Sequence, residues 1–244
     1  MNRFSFFLKQ KTATVLLVFI MMCVLFCTRA QVTPMDSLLA VFHQSYNERK
    51  FLGTYVTLYL LSVLPILKGM YDTNKVIRNR SILWHLQMIW KEICITAGIF
   101  AFLSTIGWYV IVGSKTAEWL NKENVFFVVL IFITQIIAWA EIGILATFVY
   151  SMIRNLAITY VLCQFTLIML NLSLYITNSG KYAQYSRIYL FMYDLQPLDN
   201  LHRVISVGLF HIAVTFIFIF GTLCVFNNCD FALREKRLYA GKKV

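Results

Sequence analysis

Glu141 and His211 are the residues of this chain whose types point most directly to chemistry. Glu141 stands in the middle of a long apolar block, between Trp139-Ala140 and Ile142-Gly143. A carboxylate in hydrocarbon is costly, so it is expected to face a cavity, a partner or another polar side chain. His211 lies inside a second apolar block, and the two form the one acid/base pair that the sequence offers. Gln135, Gln164 and Asn171 are further polar residues inside such blocks. Side chains of this kind hydrogen-bond between helices. These five residues are the candidates for a translocation path or for polar packing. Both readings stay open for Glu141, which would either contact cargo or fix helix packing as a hydrogen-bonded carboxyl.

Other chemistry is not written in the chain. A phosphate-binding loop needs GxxxxGK[ST], whereas Gly180-Lys181 runs into Tyr182 and lacks the upstream glycine. HExxH is absent, and His43, His85, His202 and His211 fall in separate segments. Cys23, Cys27, Cys94, Cys163, Cys224 and Cys229 lie in or beside apolar blocks without a CxxC. They read as small apolar residues, with no zinc site or disulfide framework. No catalytic constellation, resident cofactor or metal is therefore expected.

The elements that must position these residues follow from composition. Of 244 residues, 59% are hydrophobic and 14% charged, too few charges to wet an ordinary soluble surface. The apolar residues come in six blocks, at about 12–28, 52–70, 93–113, 124–150, 156–177 and 204–226. A helix crossing a bilayer needs about 20 mostly apolar residues. The expected fold is all-α: a polytopic membrane protein with a bundle of six transmembrane helices, short interfacial helices and both termini cytoplasmic. No linker divides it, so residues 1–244 read as one domain. Arg3, Lys9 and Lys11 precede the first block, and Thr28-Arg29-Ala30 loosely mimics a cleavage site. The expectation is an uncleaved first span. Pro65 falls inside the second block, where it is expected to kink the helix.

The net charge is +11. Its carriers flank the apolar blocks, so membrane topology and anionic lipid account for them and nucleic acid is not an expected partner. With the amino end inside, the inner segments hold 14 Lys and Arg and the outer ones 8. That excess favours both ends in the cytoplasm.

Three connecting segments are expected to be more than loops. Outside, Met35, Leu38, Leu39, Phe42 and Tyr46 share a face and predict a short interfacial helix. Inside, at 72–91, Asp72, Lys75, Arg78 and Arg80 lead to Ser81 as a helix cap. Ile82, Leu83, Leu86, Ile89 and Trp90 follow as an apolar stripe, with His85, Gln87 and Lys91 off it. The expected element is a helix lying along the cytoplasmic membrane face, either a docking element or a plain anchor. Outside again, at 178–203, Tyr182, Tyr185, Tyr189, Met192 and Tyr193 line one face before Leu195-Gln196-Pro197-Leu198. Short helices or a re-entrant hairpin are expected there.

Six blocks, both ends inside, the basic amphipathic segment Asp72 to Lys91, the segment ending Leu195-Gln196-Pro197-Leu198 and the tail Arg234-Glu235-Lys236-Arg237 together resemble the membrane (permease) subunit of an ABC type-2 exporter. The resemblance covers the whole chain and is architectural. It implies a subunit without ATPase activity, working with a second permease copy or a related one. Two cytosolic ATPase subunits, which would bind the ATP and magnesium, would dock near Arg78, Arg80, Ser81, Trp84 and His85. The small size is similar to the branch that handles bacteriocins or other toxin peptides, for export or immunity, and so implies a peptide cargo. Outside the resemblance stand two alternatives: a membrane immunity or sensor protein acting by binding, and an intramembrane enzyme using Glu141 and His211.

Overall fold

The structure, a computed structural model, describes residues 19–34, 37–45, 51–71, 82–117, 119–177 and 201–227. These residues are helical with short turns between, and no strand occurs among them. In chain order the helices are α1 (Phe19–Gln31), α2 (Leu38–Ser45) and α3 (Thr57–Lys68). Then come α4 (Ile82–Ala101), the short α5 (Trp108–Ile111), α6 (Lys122–Ile153), α7 (Leu156–Thr177) and α8 (Leu201–Asn227). A π-helical stretch, Phe51–Val56, leads into α3, and another, Phe102–Gly107, joins α4 to α5. Four helical runs are long and apolar enough to cross a membrane: Leu52–Tyr71, Leu83–Lys115, Lys122–Ile153 and Gly208–Asn227. Phe19–Gln31 and Leu156–Met169 are shorter apolar stretches. Pro65 sits inside α3 without ending it.

The direction of each helix follows from its contacts. His85 at the start of α4 meets Met70 just past α3, and Phe100 near the end of α4 meets Tyr59. These helices are therefore antiparallel. Phe100 and Ser104 meet Trp139 and Gln135 of α6, while Ile93 lies against Gly143, so α4 and α6 are antiparallel too. In α1, Leu25 lies against Gly107, and the Arg29 guanidinium donates to the Ile111 carbonyl. That makes α1 parallel to α4–α5.

One end of the bundle thus carries Met70, Tyr71, His85, Ser151 and Phe226. The Tyr71 hydroxyl donates to the Ser151 carbonyl at 2.6 Å, and its ring stacks on Phe226. Tyr71, Ile82 and the turn between α6 and α7 belong to this end. The start of α1 and the end of α8 point towards it. The other end carries Arg29, Lys115 and the start of α6. There the Lys115 ammonium donates to the Arg29 carbonyl at 3.1 Å.

One sequence expectation changes. The helix expected to lie along the membrane face at Ser81–Lys91 is the beginning of α4 itself. No glycine or proline interrupts the chain from Ile82 to Ala97, and Leu86, Ile89, Ile93 and Ala97 form one continuous buried stripe. Lys91 and Glu92, which look like a boundary, are exposed side chains in mid-helix. The short helix expected after the first block is α2, and one of its faces packs against the bundle. Val41, Phe42 and Ser45 are buried. The Phe42 ring meets Trp108 and Phe127 edge-on, and Trp108 Nε1 donates to Ser45 Oγ at 2.9 Å. The segment at 178–200 and residues 12–18 of the first apolar block lie outside the described residues.

Candidate functional site

The longest helix, α6, is the axis of the site. Its 32 residues reach about 48 Å at 1.5 Å per residue, against about 30 Å of hydrocarbon. It packs on α4 and α3 with one side and on α8 with another. The sides are set by residue size. At Gly143 a side-chain carbon would come within 2.5 Å of Ile93 and 2.6 Å of the Tyr59 hydroxyl, so only glycine admits both neighbours.

On the α8 side, Glu141 and His211 meet. Glu141 Oε2 lies 2.8 Å from His211 Nδ1, and both side chains are fully buried. Glu141 Oε1 has no hydrogen-bond partner among the described residues. Seven residues further along each helix, Phe148 stacks on Phe218. The equal steps make α6 and α8 parallel, with a heptad-like register. Gly221 lets the Phe148 ring lie against the α8 backbone, since a side-chain carbon there would come within 2.6 Å of that ring.

The other in-span polar candidates serve separate seams. Gln135 Oε1 accepts from Ser104 Oγ at 2.6 Å and lies 3.4 Å from Trp139 Nε1. Ser104 reaches it from the π-helical stretch, where the widened turn carries Ser104 and Thr105 inward. Gln164 Nε2 donates to Thr57 Oγ1 at 3.1 Å, and the Tyr160 hydroxyl lies 3.3 Å from the same oxygen. Between the seams sit the rings of Tyr59, Phe100 and Trp139, mutually within 5.3 Å. The Asn171 side chain lies outside the described residues, although its backbone belongs to α7.

Of the residues expected to dock an ATPase, Arg78, Arg80 and Ser81 lie outside the described residues. Trp84 is half-exposed on α4. His85, expected off the apolar stripe, faces inward: it is buried, and its Nε2 lies 3.1 Å from the Met70 carbonyl oxygen. A histidine two helical steps before Ile93 shares the face of Leu86 and Ile89, and the free carbonyl at the end of α3 gives its ring a polar partner.

The same end holds a feature absent from the sequence reading. Arg154 has φ 57°, the left-handed conformation, and caps α6 by donating its backbone N–H to Tyr150. Its guanidinium lies 4.8 Å from the centre of the Tyr71 ring. Asn155 follows, and its Oδ1 accepts from the backbone N–H groups of Ala157 and Ile158, opening α7. Asparagine as an N-cap was the available signal.

Among the described residues, no group of three His, Cys, Asp or Glu side chains is placed to hold a metal. No family model matches the chain, and neither a curated protein nor a solved structure matches it.

Proposed function

We propose that the chain is the six-span permease subunit of an ATP-driven exporter in the cell membrane. It would move a peptide or other amphipathic cargo together with separate ATPase subunits and a second permease copy. The outer faces support a lipid setting: Phe216, Ile217 and Phe220 of α8 are each more than 60% exposed, a pattern a water-facing surface rarely carries. The helix directions support the topology: the start of α1, the end of α3, the start of α4, the turn at Arg154 and the end of α8 share one end, and the sequence next to these points holds most of the 22 Lys and Arg. By the excess of positive charge that end is cytoplasmic.

The observation that carries the exporter reading is the unbroken run of α4. It runs from Ile82, which follows the basic segment in sequence, to the buried Ser104–Gln135 seam through the π-helical stretch. His85 pins its first turn to the end of α3. A helix held in this way is a stiff lever, suited to carrying the motion of a docked ATPase into the bundle. The test is purification from the native cell under mild detergent. A Walker-loop ATPase should co-purify, and Arg78→Glu with Arg80→Glu should weaken that assembly. Recovery without any nucleotide-binding partner would sink the exporter reading and favour a binding protein.

The Glu141–His211 contact favours a second reading, an intramembrane enzyme with that acid/base pair. It is the weaker of the two, because both side chains are sealed inside the bundle, out of reach of a substrate.

A further inference from the structure

We propose that the π-helical turn at Phe102–Gly107 is a movable register shift, and that Ser104 and Thr105 are alternative partners for Gln135. Moved one residue towards the start of α4, the wide turn puts the Thr105 hydroxyl where the Ser104 hydroxyl now sits. This goes beyond the exporter reading and does not depend on an ATPase.

The starting point is a mismatch of polar groups in an apolar core. Gln135 Oε1 accepts from Ser104 Oγ at 2.6 Å. Gln135 Nε2 and Thr105 Oγ1 are buried without a hydrogen-bond partner among the described residues. A buried donor left unpaired is costly. A threonine in an apolar helix has an ordinary resort, the carbonyl one turn back. Thr96, Thr134, Thr147 and Thr222 all use it. Thr105 does not. The carbonyl four residues before it, that of Ala101, accepts from Ser104 Oγ at 3.3 Å. Of two adjacent buried hydroxyls, one therefore has both the amide and the carbonyl, and the other has neither.

The π-helical turn supplies the means of exchange. It holds one residue more than an α-helical turn. That surplus moves along the chain when one residue takes up α spacing and the residue before it takes the wide spacing. Backbone hydrogen bonds are then exchanged, not lost. A move of one step turns only the residues it passes, by about 100° each. Thr105 takes the place of Ser104 against Gln135, and Ser104 takes that of Leu103. Leu103 passes into the wide turn beside Phe102, which is exposed. From Ile106 onward the chain keeps its place, so Trp108 stays on Ser45 and Phe42.

The two arrangements are closely matched, because one hydroxyl replaces another against the same amide. Packing beside the turn is open enough for the move. A side-chain carbon at Gly98 would meet nothing within 4 Å, and one at Gly107 would come no closer than 3.7 Å to Leu25. The turn is thus a two-state joint between the part of α4 held at His85 and the part held at Trp108.

The experiment uses the full chain in phosphatidylcholine nanodiscs, with threonine methyl groups carbon-labelled and tryptophan indoles nitrogen-labelled. The Thr105 and Trp108 signals are assigned by their loss in Thr105→Val and Trp108→Phe. In the parent chain the Thr105 methyl should exchange between two positions on the microsecond-to-millisecond scale, while the Trp108 indole shows no such exchange. Ser104→Ala removes the competing hydroxyl and should collapse the Thr105 methyl onto the second position. A Thr105 methyl without exchange in the parent overturns the proposal. So does one that keeps its parent position in Ser104→Ala, or a Trp108 indole that exchanges at the same rate, since the whole outer end would then be moving. Should Ser104→Ala fail to fold, the parent signals alone decide. Thermal unfolding gives a second measure: Ser104→Ala with Thr105→Val should lower the unfolding temperature by more than the two single effects together. Additive effects mean that Thr105 never serves Gln135, and overturn the proposal.

Discussion

Gly143 of α6 lies directly beneath the hydroxyl of Tyr59, closer than any side chain at that position would allow. Ile93 closes the same gap from α4, so three helices meet at a backbone with no side chain. Gly143→Ala should therefore force α3 or α4 outward and lower stability by about 1–3 kcal/mol. Thermal unfolding in detergent, followed by far-ultraviolet circular dichroism, checks this. Gly221→Ala should cost less, because its nearest neighbour is the edge of the Phe148 ring, which can turn aside.

Removing one member of the buried pair should be worse than removing both. Glu141→Leu alone leaves a buried imidazole, and His211→Leu alone leaves a buried carboxyl; breaking such a pair typically costs about 3–5 kcal/mol. The double variant Glu141→Leu with His211→Leu restores an apolar seam and should recover most of that loss. A double-mutant cycle on unfolding temperature measures the coupling. Strict additivity of the two single effects would mean that the contact contributes nothing.

Trp108→Phe should remove the bond to Ser45 while keeping the ring packed on Phe42. The expected loss is about 1 kcal/mol. Ser45→Ala should cost a similar amount, and the two together little more than either alone. Protection of the Ser45 region against proteolysis from its own side of the membrane offers a second readout, since α2 is held at that point.

Arg154→Gly should be close to neutral. Glycine accepts the left-handed backbone without strain, gaining what arginine loses there, about 1 kcal/mol. The contact with the Tyr71 ring is worth about 0.5–1 kcal/mol at an exposed site, so the two effects nearly cancel. Arg154→Val loses the ring contact and keeps the strain, and should be clearly destabilising in the same thermal assay.

The positions of the helices were legible because each apolar block is long, and length is the strongest mark of a helix in lipid. Their joins were less so. Lys91-Glu92 resembles a break between a surface helix and a span, yet the period of Leu86, Ile89, Ile93 and Ala97 runs straight through it. His85 was assigned by its polarity to the outer face, whereas its helical position and the free Met70 carbonyl place it within. Glu141 and His211 could be named as a pair, but periodicity within a helix carries no register between helices distant in sequence. Ser104 gave no signal at all, because one hydroxyl in an apolar run resembles any other and the π-helical turn that aims it has no sequence mark.

The two-residue turn of Arg154 and Asn155 also bears on how the chain is made. With no slack between them, α6 and α7 must form together as a hairpin. The ribosome then has to synthesise the whole segment from Asn178 to Asn200 before α8 emerges. Throughout that interval Glu141 lacks the imidazole that it meets in the finished bundle. A nascent chain stalled before Leu201 is thus a distinct client for the insertion machinery, and the arrival of His211 is the step that completes the fold.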